Sequence, residues 1–278
     1  MVAPPGFVIP KTPLAYAIWR AKLWKWRLQE IAARRCFDII CYWFPEMRAT
    51  GDIFFPKLSR TVDWKSGLAD ATWMLQSVVR LWRPKVVVEI GSARGQSTCT
   101  LAQACRQNGL GKVYAIDPNT PNDWSESGTG GDNYEFLRAR LREYGLDPWC
   151  EVIRETSVEA AKHWTGPIDF LFIDGDHSYE GVKHDFEAFK PWLTEHAIVA
   201  FHDTAWEHHR AAWEQYRDQA GSIPHMGVPR YLEELKAQGF NSVTFPAQPG
   251  FTLLQATPGG FPFMNEPQAQ PAVSQARA

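Results

Sequence analysis

Residues 85–98, KVVVEIGSARGQST, decide which fold the sequence predicts. The β-branched run KVVVEI stops at Gly91, and a glycine-containing turn then leads into QSTCTLAQACRQNG, a helical pattern that itself ends at a glycine. A strand that passes through a glycine turn into a helix is the repeating unit of parallel α/β sheets. The stretch therefore predicts an α/β domain.

The same alternation continues along the chain. Further strands are predicted at KVYAID, CEVIRE, IDFLFID and HAIVAFHD, with helices between them. The segment NSVTFPAQPGFTLLQ predicts two strands joined by a Pro-Gly loop. Together these patterns predict a doubly wound, mostly parallel, seven-stranded Rossmann-like sheet that ends in a C-terminal antiparallel hairpin. Such sheets bind ligands at the carboxyl ends of their strands.

Composition divides the chain into three predicted segments. Residues 1–60 form a helical extension rich in Trp, Lys and Arg, residues 61–255 form the sheet domain, and residues 256–278, rich in Pro, Gln and Ala, form a disordered tail. The extension is expected to pack on its own domain or on a twin subunit, and the protein is expected to be a homo-oligomer. A lid over a substrate pocket and a contact with an anionic membrane surface are the alternatives.

Charge and cysteine content exclude several classes of protein. The net charge of -2 over 278 residues gives no electrostatic case for nucleic acid as a partner. The five cysteines are scattered and contain no C-x-x-C pair, which supports neither a zinc knuckle nor a disulfide framework. The N-terminus MVAPPGFVIPKTP lacks the pattern of a signal peptide. A reducing, cytoplasmic setting is expected.

The first glycine turn is a candidate ligand loop. Gly91 and Gly95 let the backbone approach a ligand closely, and the helix that follows begins with unpaired N–H groups. The dinucleotide fingerprint G-x-G-x-x-G is absent because Ala93 and Gln96 occupy two of its positions, which disfavours an NAD-dependent oxidoreductase. Asp117 ends the second strand, where a carboxylate can accept hydrogen bonds from ribose hydroxyls.

The motifs EIGSARGQST and AIDP resemble the first two motifs of class I S-adenosylmethionine-dependent methyltransferases. The resemblance implies that the loop lines the methionine part of the cofactor, that Glu89 lies near its ammonium group and that Asp117 holds the ribose. RETSVEAA resembles the segment that flanks the adenine. The implied cofactor contacts are Glu89, Gly91, Ser92, Ala93, Gly95, Ser97, Asp117, Thr156, Ser157 and Asp174.

A narrower resemblance is carried by FIDGDHSYEG, residues 172–181, and FHDT, residues 201–204. This pair resembles the O-methyltransferase branch that includes cephalosporin-hydroxylase-like and macrocin-type enzymes, with catechol and caffeoyl-CoA methyltransferases as more distant relatives. The resemblance implies methylation of a hydroxyl on a small molecule, either a sugar or a natural product. It also implies a divalent metal held by Asp174, His202 and Asp203.

The residue types fit that chemistry, with one departure. Asp174 and Asp203 offer the oxygen ligands that Mg²⁺ prefers, and His177 is a candidate base near neutral pH. Relatives carry a carboxylate where this chain has His202, and imidazole suits Mn, Fe or Zn better than Mg²⁺. Either the metal differs, or it binds weakly, or His202 is a base in a metal-free site. The predicted catalytic residues are thus His177, Asp174 and His202.

Other polar residues near these motifs receive structural interpretations. Asp176 and Ser178 are candidates to cap a helix that begins near Tyr179, while Asp185 and Glu187 are interpreted as its solvated face. The alternative to an enzyme is a non-catalytic protein that binds an adenosine-containing ligand. Clustered acids and histidines disfavour it, because a binder has no use for them.

Overall fold

The structure is a computed structural model that describes residues 12–43, 47–55, 62, 64, 66–68, 71–119, 133–205, 227–246 and 249–258. The chain separates into two compact units, residues 1–63 and residues 64–278. All but the first few residues of the tail that the sequence predicts to be disordered, namely residues 259–278, lie outside the described part.

The described residues of unit 1 form two helices, α1 (Pro13–Trp43) and α2 (Met47–Phe54). Neither Gly nor Pro interrupts α1 after its first residue, which lets it continue for 31 residues. The two helices approach closely at Gly51, where an added Cβ would collide with the ring of Phe37. Cys41, one helical turn after Phe37, is buried. One side of α1 is therefore a packing surface within the unit.

The α-helices and strands that the structure describes in unit 2 are, in chain order, α3 (Ala71–Trp82), β1 (Val86–Ile90), α4 (Gln96–Asn108), β2 (Lys112–Ile116), α5 (Asn133–Glu143), β3 (Cys150–Ile153), α6 (Ser157–Lys162), β4 (Ile168–Ile173), α7 (Tyr179–Phe189), β5 (Leu193–His202), α8 (Gly227–Ala237), β6 (Ser242–Phe245) and β7 (Phe251–Gln255). The strands form a seven-stranded sheet in the order β3-β2-β1-β4-β5-β7-β6. Strands β1 to β5 pair in parallel, and β7 lies antiparallel between β5 and β6. This confirms the predicted fold class, including the C-terminal hairpin.

Both faces of the central strands are buried, as expected for a parallel sheet covered by helices. On one face, alternate strand residues such as Leu171 and Val199 pack against Phe186 of α7 and Tyr231 of α8. The rings of Phe186 and Tyr231 meet edge to face with their centroids 6.0 Å apart. This aromatic packing anchors α7, and α7 in turn fixes the turn that precedes it.

The register of the sheet brings the candidate residues to one edge. Ile90 at the end of β1 lies beside Ile116 and Ile173, and Ile173 lies beside Phe201 of β5. The strands therefore end at nearly the same level, and the residues that follow them share the carboxyl edge of the sheet. The residues that follow β1, β2 and β4 are Gly91, Asp117 and Asp174, and β5 ends in His202 with Asp203 next.

Candidate active site

The loop after β1 passes directly over the end of β4. The Gly91 N–H donates to the Ile116 carbonyl at 3.0 Å, and Gly91 has φ of 90°. An added Cβ at this position would collide with the carbonyl of Asp174. Glycine is required here by both the left-handed backbone and the lack of space. The loop and the acidic turn predicted from FIDGDHSYEG are thus in direct contact.

Asp117 holds this loop in place. One of its carboxylate oxygens accepts hydrogen bonds from the backbone N–H groups of Ser92 (3.0 Å) and Ala93 (2.8 Å), and the other accepts from the N–H of Asn119 (2.7 Å). The sequence predicts that Asp117 binds ribose hydroxyls and does not predict these bonds to the loop. A carboxylate has about four acceptor sites, so ribose binding stays a prediction compatible with this arrangement.

Glu89 is fully buried beneath the loop. Its Oε2 accepts a hydrogen bond from the Thr98 hydroxyl at 2.6 Å, while its Oε1 has no hydrogen-bonding partner among the described residues. Burial raises the pKa of Glu89 to about 8. A buried carboxylate oxygen without a donor is costly, and a bound cation would relieve that cost. This fits the predicted position of the cofactor's ammonium group.

The hydroxyls of Thr156 and Ser157, predicted to flank adenine, have other partners. Thr156 is the N-cap of α6 and forms a reciprocal capping box with Glu159, in which its Oγ1 accepts from the Glu159 N–H at 3.2 Å. The Ser157 hydroxyl donates to Asp185 on α7 at 2.5 Å. Their contact with adenine stays a prediction, and these bonds show that both residues also fix the start of α6.

The sequence predicts that Asp185 and Glu187 lie on a solvated face of α7, and the structure shows that this is wrong for Asp185. Glu187 is exposed, but Asp185 is buried at 6% exposure, and its Oδ2 has no partner among the described residues. Burial raises its pKa to about 6 from an ordinary value of 3.8. The signal was present in the sequence, because Asp185 lies on the same helical face as the buried residues Val182 and Phe189.

Replacing Asp185 with Asn is expected to change how stability depends on pH. Because the folded pKa is raised, ionisation of Asp185 opposes folding, and the penalty grows as the pH rises from about 4 to about 6 and is complete above that. Asp185→Asn does not have this penalty. When the pH is raised from 5 to 7.5, the free energy of unfolding of the variant should therefore increase by about 1–2 kcal/mol relative to that of wild type. Urea denaturation at both pH values measures this, with Glu180→Gln, at an exposed acidic residue of the same helix, as the charge-matched control.

The predicted cap of α7 is confirmed. Ser178 is the N-cap residue, and its hydroxyl oxygen accepts from the Gly181 N–H at 3.0 Å. Asp176 accepts from the Ser178 N–H at 2.9 Å. These two side chains hold the turn, which leaves Asp174 and His177 available for other contacts.

Asp174, His177, His202 and Asp203 form one cluster at the sheet edge. His202 is buried, and its Nδ1 lies 2.9 Å from the Asp174 carboxylate and 3.2 Å from the Asp203 carboxylate. The Nε2 of His177 lies 2.8 Å from Asp203 and 3.5 Å from Asp174. The structure brings these four residues together, whereas their chemical roles stay predictions.

The cluster alternates negative and positive charge. Burial alone would lower the pKa of His202, but the carboxylates of Asp174 and Asp203 outweigh it and raise that pKa to about 10. Burial would also lower the pKa of His177, but the carboxylates of Asp203 and Asp174 outweigh it and raise that pKa well above its usual range. The two carboxylates have lowered pKa values in spite of burial, because the histidines lie beside them. The cluster is therefore built to stabilise two negative charges with two positive ones.

The geometry favours a different set of metal ligands from the predicted one. The ligand atoms of Asp174, His177 and Asp203 all lie within 4.8 Å of one another. His202 points its Nδ1 at both carboxylates, and its buried Nε2 has no partner among the described residues. Two carboxylates and one imidazole suit Mn, Fe or Zn as well as Mg²⁺. The residues present therefore fit a divalent cation, with His202 in the position of a hydrogen-bonding support for its ligands.

This chain is similar to known methyltransferases in sequence and in fold. Residues 88–204, which include the glycine loop and the whole cluster, match the model of a family described as a methyltransferase domain. Among curated proteins, the protein called "Uncharacterized protein y4gI" from Sinorhizobium fredii is 28% identical over 167 residues. That alignment covers 57% of this chain but only 18% of the relative, so the chain corresponds to a small part of it.

Solved structures share the fold at low sequence identity. A cofactor-bound structure of Rv0187 from MTB has a TM-score of 0.56 at 17% identity, covering 75% of this chain and 89% of that one. An O-methyltransferase from Bacillus cereus in complex with SAH has a TM-score of 0.52 at 15% identity, covering 80% and 96%. The SAH-bound methyltransferase PaMTH1 from Podospora anserina also scores 0.52, at 13% identity, covering 90% and 98%.

Proposed function

Because residues 88–204 match a methyltransferase domain and the chain has the class I methyltransferase fold, we propose that this protein is an S-adenosylmethionine-dependent O-methyltransferase acting on a hydroxyl of a small molecule. One observation carries the proposal. The backbone carbonyl of Asp174 touches the glycine loop at Gly91, while its carboxylate belongs to the histidine cluster. A cofactor loop and a group of acids and bases therefore meet at a single residue, as transfer between two bound molecules requires.

The cofactor half of the site is supported by the residues beneath and around the loop. S-adenosylmethionine supplies an electrophilic methyl group when it is bound. Glu89 would place its unpartnered Oε1 opposite the ammonium group, and Asp117 would add ribose hydroxyls to the backbone N–H groups that it already binds. The other contacts proposed from the sequence are Gly91, Ser92, Ala93, Gly95, Ser97, Thr156, Ser157 and Asp174.

The acceptor half of the site is the cluster of two carboxylates and two histidines. We propose that Asp174, His177 and Asp203 hold a divalent cation, which would lower the pKa of an acceptor hydroxyl. His202 would then keep the two carboxylates in place through its Nδ1. In the alternative without a metal, His177 is the residue nearest the open side of the cluster, with a quarter of its side chain exposed. It would be the base only after giving up the proton that Asp174 and Asp203 stabilise on its ring.

The proposed acceptor is a small molecule with a hydroxyl group, which is a sugar, a natural product or a catechol-like phenol. Nucleic acid is not expected as a partner, given the net charge of -2, and a homo-oligomer stays a prediction. The five cysteines are free thiols, which supports a reducing compartment such as the cytoplasm.

Calorimetric titration with S-adenosylmethionine, S-adenosylhomocysteine and NAD tests the proposal. We expect both sulfur ligands to bind and NAD not to bind. Glu89→Gln should weaken S-adenosylhomocysteine binding by about tenfold or more, because the amide keeps the shape but loses the charge that faces the ammonium group. Tight NAD binding would indicate an oxidoreductase, and binding of the sulfur ligands without methyl transfer to any hydroxyl would indicate a non-catalytic binding protein.

A further inference from the structure

One side of helix α1 presents apolar side chains to solvent along its whole length. We call this set the α1 stripe: Leu14, Ile18, Trp24, Leu28, Ile31, Ile39 and Tyr42, each of which is at least half exposed. Its members follow one another at helical spacing, with Ala21 and Arg35 at the two intervening positions. A contiguous exposed apolar surface of this length marks an interaction site rather than ordinary surface.

The stripe is separate from the packing surface of α1 within unit 1. Phe37 and Cys41, which face α2, lie on the opposite side of the helix from Leu28 and Ile39. The helix thus has two apolar sides, and within the part of unit 1 that the structure describes α2 covers only one of them. The stripe therefore calls for a second partner.

The charge of α1 indicates which kind of partner fits. The helix carries six basic residues and two acidic ones, a net charge of +4, whereas the whole chain has a net charge of -2. A second copy of α1 would bring the same positive charge to the contact and would be repelled. Basic side chains flank the stripe on both sides, with Arg20 and Arg27 on one flank and Lys22 and Lys25 on the other. An anionic surface complements this arrangement.

We propose that α1 lies on an anionic phospholipid surface, with the α1 stripe at the boundary between headgroups and acyl chains and the flanking basic residues at the lipid phosphates. Long basic side chains reach phosphates from such a position while their stems cover apolar surface. Among the described residues, no helix is long and apolar enough to cross a membrane, so the contact is made along the surface. The membrane contact, which the sequence leaves as an alternative, would then take the place of packing of this segment on its own domain or on a twin subunit.

The test is co-sedimentation of the full chain with vesicles of phosphatidylcholine alone or with 30% phosphatidylglycerol. We expect binding to the anionic vesicles only, weakened at least tenfold by 0.5 M salt, since the attraction is electrostatic. Leu28→Glu should reduce binding by at least tenfold. Leu81→Glu on α3, at a leucine that is 85% exposed outside the stripe, is the matched control and should bind like wild type.

Leu28→Glu could reduce binding by perturbing the helix, so a second variant removes basic charge and leaves the stripe unchanged. Lys22→Gln combined with Lys25→Gln leaves the stripe intact and should also weaken binding to anionic vesicles. Failure of the wild type to bind them, or equal binding to both kinds of vesicle, overturns the proposal. So does a dimer in sedimentation equilibrium that Leu28→Glu dissociates, because the stripe would then bind a second copy. None of these outcomes depends on methyl transfer.

Discussion

An Asp203→Asn variant is expected to lose at least about a hundredfold in affinity for Mn²⁺ and to lose methyl transfer to any acceptor that the wild type methylates. Asp203 is buried and lies within contact distance of both histidines, so its negative charge cannot be replaced by water. Asparagine has nearly the same shape but no charge. The change therefore removes one of the two carboxylates that the cluster is built around.

The choice of asparagine follows from the backbone. Asp203 has φ of 58°, in the left-handed region where Asn and Asp are among the few residues tolerated without strain. An alanine at this position would add backbone strain to the loss of charge, and the two effects would be inseparable. Affinity for S-adenosylhomocysteine should stay within about threefold of wild type, because Asp203 lies at the acceptor half of the site.

Mn²⁺ titration by calorimetry gives the measurement, and Asp176→Asn is the matched control. Asp176 is an acidic residue on the same turn as Asp174 that bonds to the Ser178 N–H and is outside the set of proposed ligands. The control should bind Mn²⁺ like wild type. If Asp203→Asn did so as well, the cluster would not be a metal site. Full methyl transfer by the wild type after chelation would likewise assign the cluster to acid–base chemistry alone.

The sequence predicts the fold well because parallel strands buried on both faces leave continuous apolar runs that are easy to recognise. KVVVEI and IDFLFID are such runs, and each becomes a strand of the central sheet. The sequence does not predict helix α8, because its first turn, Gly-Val-Pro, is typical of a loop. Proline is tolerated there because the first N–H groups of a helix have no intrahelical partner.

The sequence predicts which residues lie at the candidate site better than it predicts which atoms of those residues are in contact. Residues after neighbouring parallel strands must meet at one edge, which is why Asp174 and Asp203 could be placed together although they are far apart in sequence. The direction of each side chain decides which histidine faces the carboxylates from the open side of the cluster. That direction cannot be read from the spacing of residues in the sequence. In the structure, a ring nitrogen of His177 lies with the carboxylate oxygens of Asp174 and Asp203 in one candidate group of ligand atoms, whereas the Nδ1 of His202 faces both carboxylates.

A Gly91→Ala variant is expected to bind S-adenosylhomocysteine with an affinity at least about a hundredfold lower than that of wild type. The new methyl group would collide with the Asp174 carbonyl and lie 2.7 Å from the Gly175 Cα, and the residue would have to keep φ of 90°. The loop would therefore move away from the end of β4. That movement displaces the backbone N–H groups of Ser92 and Ala93 from Asp117 and separates the two halves of the site.

Gly109→Ala separates collision from backbone strain. Gly109 also has a left-handed backbone, with φ of 61°, but an added Cβ would have no neighbour within 4 Å. We expect this control to lose some stability and to bind S-adenosylhomocysteine like wild type, because left-handed strain alone costs only about 1 kcal/mol. Should Gly91→Ala fail to fold by circular dichroism, Asp117→Asn tests the same loop, since it weakens the acceptor for two N–H groups without adding an atom. Normal binding by both loop variants would show that the cofactor does not depend on this loop.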